Sequence, residues 1–177
     1  MIAMKNEGII PEMEEVKRKK NYRIPIRMNV TAYLKALNGI DITEITGISE
    51  IGALTVLSEA GTDMSKWKTD KNFTSWPKLA PNTKISGGKL IGSRVPGKKY
   101  CAGQSFRMAA MSLQNSKGPL GDYYRRIRIY AGAPKAIVAV ARKLAVIYYH
   151  MMTARQTFNP VELEKSQKNI TNKKLNS

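Results

Sequence analysis

The sequence predicts an all-α domain with flexible termini, a helix-hairpin-helix-like element and a glycine-rich serine loop. Apolar residues recur at helical spacing in several segments, no segment alternates convincingly between apolar and polar residues, and no internal repeat is evident. The chain has 177 residues, enough for one compact domain. We expect a charged linker or inter-domain helix at residues 1–30, a helical domain at residues 31–155 and a disordered basic tail at residues 156–177.

Short helices separated by turns are predicted in the first half of the chain. The acidic-to-basic order of PEMEEVKRKK favours a helix that ends before Pro25. A second helix is expected over residues 31–37, before an Asn-Gly pair. The stretch DITEITGISEIGALTVLSEAG predicts a helix, a tight turn and a second helix closed by Gly61. Residues 66–75 are expected to form a short helix or a turn.

The three longest helices are expected in the second half of the chain, after a loop. Three prolines and four glycines predict that residues 76–97 form this loop. Helices are then expected over about residues 100–114, 120–130 and 134–152. The last of them is the most apolar and begins with a proline, which suits a first helical turn.

The charge of the chain is strongly positive and unevenly distributed. Thirty Lys and Arg residues against thirteen Asp and Glu residues give a net charge of +17. Ten of the thirteen acids lie at or before Asp70, and residues 71–161 contain sixteen basic residues and one acid, Asp122. Because a solvated surface usually mixes both signs, this distribution indicates a polyanionic partner such as DNA.

Several classes of protein are excluded by residue counts. With one cysteine, Cys101, and one histidine, His150, the chain cannot form an internal disulfide or a cysteine-based zinc site. A Ser-His-Asp hydrolase is excluded because His150 lies at the end of an apolar helix and is expected to pack there or face solvent. The N-terminus lacks a secretory signal, and Arg142 and Lys143 interrupt the apolar residues 136–149. We expect a cytoplasmic, nucleoid-associated protein with no cofactor in this chain and no membrane partner.

The stretch ITGISEIGALTVL resembles a helix-hairpin-helix. In that motif, the turn amides at the start of the second helix bind a nucleic-acid phosphate. Gly47, Ile48 and Ala53 stand at the positions that the motif requires, whereas Ser49 replaces its second glycine. An ordinary pair of packed helices explains the same pattern. The basic second half of the chain favours phosphate contact at Gly47 and Ser49.

Ser86 lies in KISGGKL, a lysine-rich segment without carboxylates. The segment lacks the spacing of a Walker A loop and the Gly-x-Ser-x-Gly of a nucleophile elbow. Gly87 and Gly88 allow close backbone approach, and their amides can hold an oxyanion. A serine so placed can attack a DNA phosphate, although composition alone favours a phosphate-binding turn without chemistry. The cations expected to neutralise the phosphate are Lys84, Lys89, Arg94 and Arg107.

Five segments, which overlap the two stretches above, carry a family resemblance. They are NGIDITEITGI, ALTVLSEAGTDMSKW, FTSWPKLAPNTKISGGK, FRMAAMSL and LGDYYRRIRIYAGAPKAIVAVARKLAVIYYHM. In this order they resemble the C-terminal transposase domain of the DEDD-type insertion-sequence transposases, the RNA-guided recombinase family whose N-terminal domain is RuvC-like. The Ser-Gly after LAPN and the later ARKLA helix are the most specific parts of the match.

The resemblance implies a DNA recombinase in which Ser86 is the catalytic nucleophile that joins the protein to DNA. It also implies magnesium, held by four acids of the RuvC-like domain and not by this chain, and in some members a guide RNA. Since the RuvC-like domain is missing from this sequence, we expect a truncated copy that is inactive alone, or one half of a split protein. Pro77 and Lys78 stand where the family usually has Leu-Gly, which alters the turn before the serine loop.

We therefore predict the DNA-binding and serine-nucleophile domain of a transposase. Its expected partners are DNA, a RuvC-like domain and, in some members, a guide RNA. We also expect a homo-oligomer on DNA. Two alternatives stay open: a non-catalytic basic nucleic-acid-binding module, and an assembly protein whose residues 136–149 pack against another copy. Trp67 and Trp76 are candidates for base stacking, but core packing is favoured for them. Tyr148 and Tyr149 are expected to be core or partner-facing residues. Further predicted phosphate contacts are Lys98, Lys99, Arg125, Arg126 and Arg128.

Overall fold

The structure, a computed structural model, describes residues 29–94 and 100–157. These residues are mostly helical, which confirms the predicted all-α class. The predicted N-terminal charged helix and most of the predicted tail lie outside the described residues. The helices are α1 (Val30–Asn38), α2 (Glu50–Ala60), α3 (Asp70–Ser75), α4 (Cys101–Ser112), α5 (Pro119–Ala131) and α6 (Ala133–Ala154), with single 3₁₀ turns at Ile42–Glu44 and Leu113–Asn115 and two strands, β1 (Asn82–Ser86) and β2 (Lys89–Arg94).

Local capping residues set the ends of α1 and the start of α2. Asn29 Oδ1 accepts a hydrogen bond from Ala32 N (3.1 Å), and Gly39 follows α1 in the left-handed conformation (φ 74°). Ser49 Oγ accepts from Gly52 N (3.1 Å) at the start of α2. Short polar side chains at the first position and glycine after the last are the usual helix limits. The helix predicted over residues 31–37 is thereby confirmed.

The segment before α2 differs from the predicted helix and tight turn. One 3₁₀ turn, Ile42–Glu44, stands in place of the first helix. Ile42, Ile45 and Ile48 are buried, and their spacing of three residues suits a 3₁₀-like path better than an α-helix. The first arm of the predicted helix-hairpin-helix is therefore a short, tightly packed turn and not a regular helix.

α6 is the central helix of the domain. Helices α3, α4 and α5 all pack against it, and α2 packs against α4. Val140, Leu144 and Tyr148 are fully buried along α6, at the four-residue spacing that keeps side chains on one helix face. Because α6 is covered on several sides, the fold explains why this segment is the most apolar of the chain.

An aromatic cluster joins the loop around α3 to the end of α6. The ring centres of Trp67 and Phe73 lie 5.0 Å apart in an edge-to-face arrangement, and those of Trp67 and Trp76 lie 5.3 Å apart. Tyr149 Oη donates a hydrogen bond to Trp67 O (3.0 Å), and Phe73 stacks on Tyr148 at 5.7 Å. Rings in such arrangements stabilise a core beyond the area they bury. Core packing of these four tryptophans and tyrosines is confirmed.

The chain leaves α3 through a Schellman motif. Lys78 N donates to Ser75 O and Leu79 N to Thr74 O, both at 3.2 Å, and Leu79 is fully buried. Lys78 occupies the left-handed position of this motif, with φ 57°. Glycine is the residue that this position favours, because a side chain makes the left-handed conformation costly. Lys78 therefore holds a strained backbone directly before the segment that contains Ser86.

Part of the loop predicted at residues 76–97 is a β-hairpin. Strands β1 and β2 pair antiparallel, with Ser86 opposite Lys89 across a two-residue turn. Gly87 and Gly88 form that turn with φ 56° and 74°, values typical of the type I′ turns that join hairpin strands. The prediction of a loop was wrong here because glycine is typical of loops and of hairpin turns alike, and Gly87 and Gly88 join two short strands.

Candidate nucleic-acid interface

Ser86 lies at the exposed tip of the hairpin. Ser86 is the last residue of β1, and the turn formed by Gly87 and Gly88 follows directly. A Cβ atom added to either glycine would meet nothing within 4 Å, so the turn backbone is open on its outer side. Lys89, the pairing partner of Ser86, is also exposed. A serine hydroxyl, open turn amides and a lysine ammonium group therefore share one accessible end of the molecule.

The other cations predicted around this loop fall into different places. Lys84 lies in β1 opposite Gly92, and Arg94 ends β2 opposite Asn82. Both residues therefore belong to the hairpin and not to a loop. Lys98 and Lys99 lie outside the described residues. The hairpin thus gathers Lys84, Ser86, Lys89 and Arg94 on one short ribbon.

Arg107 lies on α4 and holds the connection that leads to the hairpin. Its Nη2 atom donates a hydrogen bond to Lys78 O (2.9 Å), and partial burial lowers the pKa of its guanidinium group. One turn earlier, Gly103 packs so closely on this connection that an added Cβ would lie 2.3 Å from Pro77 O. Arg107 therefore has a structural contact that its charge alone did not reveal.

The arginines of α5 differ in their surroundings. Arg125 forms an ion pair with Asp122 and donates to Ser116 O (2.8 Å), so it fastens the start of α5 to the preceding turn. Arg126 Cζ lies 5.5 Å from the centre of the Tyr123 ring. Arg128 is exposed one turn before the helix end. The outer face of α5 is therefore basic, but the charge of Arg125 is partly neutralised by its ion pair with Asp122.

Exposed apolar residues accompany the basic end of α5. Ile129 and Tyr130 are 79% and 86% exposed. Sequence reasoning did not single out either residue, because an apolar residue type at a helix end does not by itself separate an inward from an outward position. Tyr124, and not Tyr123, is the fully buried tyrosine of this helix.

Gly47 and Ser49 make internal contacts at the turn before α2. An added Cβ on Gly47, whose φ is 95°, would lie 2.9 Å from Leu113 Cγ and 3.0 Å from Ala109 O, so this glycine permits close packing against α4. Ser49 Oγ accepts the hydrogen bond from Gly52 N that begins α2. These contacts explain why glycine and serine occupy these two positions without any phosphate binding.

Glu59 caps α4, a feature that sequence reasoning missed. Its carboxylate oxygens accept hydrogen bonds from Cys101 N (3.1 Å) and Ala102 N (2.9 Å) at the start of that helix. A carboxylate is favourable there because it meets unpaired amides and the positive end of the helix dipole. Hydrogen bonding to Glu59 and its negative charge raise the pKa of the exposed Cys101 thiol. An internal carboxylate thus already occupies the helix N-terminus that follows the basic hairpin.

Residues 41–125 match the model of the transposase IS116/IS110/IS902 family. The match supports a transposase domain. It spans α2, α3, the hairpin that carries Ser86, α4 and the first part of α5, so the family similarity and the serine-bearing hairpin coincide. Comparison with curated proteins found no match.

Three further findings bear on what the described residues do. The similarity to this transposase family supports a role in DNA transposition and an interaction with DNA. Among the described residues, His, Cys, Asp and Glu side chains do not come together in a group able to hold a metal ion. None of the described helices has an apolar stretch of the length that a bilayer requires.

Proposed function

We propose that this transposase domain binds DNA and that Ser86 forms a covalent link to a DNA phosphate during transposition. The observation that carries the proposal is the position of Ser86 at the exposed end of a hairpin, beside an open Gly87–Gly88 turn and the exposed Lys89. A nucleophile on a protruding ribbon can reach a phosphate in a duplex without the helical body entering a groove. Turn amides and lysine would stabilise the negative charge that develops on the phosphate oxygens.

The proposed chemical step is a transesterification. Ser86 Oγ attacks the phosphorus atom of a phosphodiester, a new O–P bond forms, and the bond from phosphorus to one sugar oxygen breaks. The serine proton passes to solvent or to a base, and the departing sugar oxygen takes up a proton. Attack by the free hydroxyl of another strand reverses the step and rejoins the DNA. No net oxidation or hydrolysis occurs.

The RuvC-like domain implied by the resemblance would supply the four acids that hold magnesium and would act together with this domain. A homo-oligomer on DNA and, in some members, a guide RNA belong to the same proposal. The basic side chains on the hairpin and on α5 would contact phosphates, and we expect the protein at the nucleoid in the cytoplasm. Binding should weaken steeply with salt, by about 0.9 units of log K per unit of log salt for each phosphate contacted.

The test compares Ser86→Ala with Ser65→Ala. Ser65 is a matched control because it is also an exposed serine beside lysines, on the loop before α3. Each chain is combined with a RuvC-like domain of the same family, magnesium and labelled duplex DNA, and a denaturing gel detects a protease-sensitive protein–DNA adduct. We expect Ser86→Ala to lose the adduct while its affinity for duplex, measured by fluorescence anisotropy, is unchanged. Ser65→Ala should keep both.

The main alternative is a basic module that binds nucleic acid without chemistry. It predicts that Ser86→Ala and the unsubstituted chain behave alike in both measurements. An adduct that persists in Ser86→Ala would reject the serine as nucleophile while leaving DNA binding intact. A chain that does not bind duplex DNA at low salt would reject both functions.

A further inference from the structure

Two isoleucines near the turn of the hairpin are exposed. Ile85 is 67% exposed and Ile91 is 69% exposed. Ile85 directly precedes Ser86 in β1, and it pairs with Leu90. Between the pair Ile85–Leu90 and the pair Lys84–Gly92, Ile91 is the additional residue of a β-bulge. A bulge bends a strand and redirects its side chains, so the bulge determines the direction in which β2 presents Ile91.

The helical body does not cover these isoleucines. In the described part of the chain the two strands pack chiefly against each other, with little contact to any helix. An isolated two-stranded hairpin is marginally stable in water, and isoleucines that are about two thirds exposed add little to its stability. An apolar tip on such a ribbon therefore indicates a surface that is buried when a partner binds.

The charge around the tip favours a nucleic acid as that partner. Lys89 is exposed at the turn, and the only acid in residues 71–161 is Asp122, which pairs with Arg125 on α5. A polyanion is drawn to such a ribbon, whereas a basic protein surface is repelled. The apolar parts of a duplex are its base faces and thymine methyl groups. Isoleucine is among the side chains that proteins insert between base steps as wedges.

We infer that Ile85 and Ile91 form an apolar wedge that partly unstacks one DNA base step next to the phosphate held at Ser86. This inference rests on the proposed function, because it concerns the same hairpin and the same DNA. Unstacking would widen access to one phosphodiester and bend the duplex around the tip. Ile85 and Ile91 are therefore positioning residues, and Ser86 remains the group that touches the reacting phosphorus.

A wedge has a signature that phosphate binding lacks. Unstacking costs less where pairing is already imperfect, so a wedge binds a duplex with one central mismatch more tightly than the matched duplex. Phosphate contacts are the same in both duplexes and cancel in the ratio of the two dissociation constants. That ratio reports the wedge even if the total affinity is dominated by lysine and arginine.

The experiment measures this ratio for the full chain, for Ile85→Ala, Ile91→Ala and the double variant, and for Met108→Ala. Met108 is a matched control because it is an apolar residue of α4 that is 57% exposed. We expect the unsubstituted chain to prefer the mismatched duplex by about fivefold to tenfold, equivalent to roughly 1 kcal/mol. 2-Aminopurine placed beside the mismatch should brighten on binding. The double variant should lose both effects, and Met108→Ala should keep them.

Three results would overturn the wedge. They are an unsubstituted chain that binds both duplexes equally, a double variant that keeps the preference, and a Met108→Ala variant that loses it. Because all these side chains are exposed, the variants are expected to fold, and far-UV circular dichroism checks this directly. Failure of the proposed function looks different: without DNA binding the unsubstituted chain binds neither duplex at low salt, and without serine chemistry the adduct persists in Ser86→Ala.

Discussion

Substitution of Gly103 by alanine tests the contact that positions the start of the hairpin segment. Gly103 lies in the first turns of α4, where its missing side chain admits the backbone of Pro77. An alanine Cβ would lie 2.3 Å from Pro77 O and 3.3 Å from Pro77 C. Ordinary contact requires at least about 3.4 Å, so the carbonyl group must retreat by about 1 Å.

The free-energy cost follows from what holds that carbonyl in place. The adjoining backbone makes the two Schellman hydrogen bonds after α3 and accepts the bond from Arg107. Weakening three bonds at about 1 kcal/mol each costs up to about 3 kcal/mol. Alanine is about 1 kcal/mol better than glycine within a helix, which offsets part of this. We expect Gly103→Ala to lower the free energy of unfolding by about 2 kcal/mol.

The assay is urea and thermal unfolding followed by far-UV circular dichroism. For a chain of this size, 2 kcal/mol corresponds to a Tm lower by about 4–8 °C. Gly52→Ala on α2 is the matched control, because its Cβ would meet no backbone atom and only the side-chain atoms Ser49 Oγ, at 3.2 Å, and Ile48 Cγ2, at 3.9 Å. It should unfold within about 1 kcal/mol of the unsubstituted chain. A Gly103→Ala variant of unchanged or greater stability would refute the close packing of α4 on Pro77.

Two further substitutions test the residues around this connection. Lys78→Gly should exceed Lys78→Ala in stability by about 1 kcal/mol, because only glycine relieves the left-handed conformation at φ 57°; equal unfolding midpoints would contradict that conformation. Glu59→Gln should speed alkylation of Cys101 by iodoacetamide near neutral pH. The hydrogen bond and charge of Glu59 raise the pKa of the Cys101 thiol. Without them, a larger fraction of the thiol is present as the reactive thiolate. The midpoint of the rate–pH profile should move to lower pH in Glu59→Gln, and an unmoved midpoint would show that the carboxylate does not act on the thiol.

Much of the helical part of the fold could be predicted because its signals are local. Asn29 caps the helix that directly follows it, and Gly39 ends the same helix through its own conformational freedom. The spacing of Val140, Leu144 and Tyr148 marks one face of α6 before any partner is known. The basic character of residues 71–161 is likewise a property of composition alone.

The hairpin was within reach of sequence reasoning but was hidden by its own irregularity. The Gly-Gly pair between KIS and KLI is a hairpin signal. However, the bulge at Ile91 breaks the two-residue alternation that identifies a strand. The candidate serine was therefore found from its neighbours in sequence, while its position on a protruding ribbon was not.

Tertiary structure alone decided which charged residues and glycines serve the fold. Arg107 bonds to the carbonyl of Lys78, Glu59 caps a helix that begins at Cys101, and Gly47 admits the end of α4. These partners are distant in the chain and meet because several helices pack around α6. Charge and residue type describe what a side chain can contact, and only the packing of the helices determines which contact it makes. The sequence by itself thus determined a helical, basic chain with a candidate serine, and the tertiary structure decided that this serine stands on an exposed ribbon.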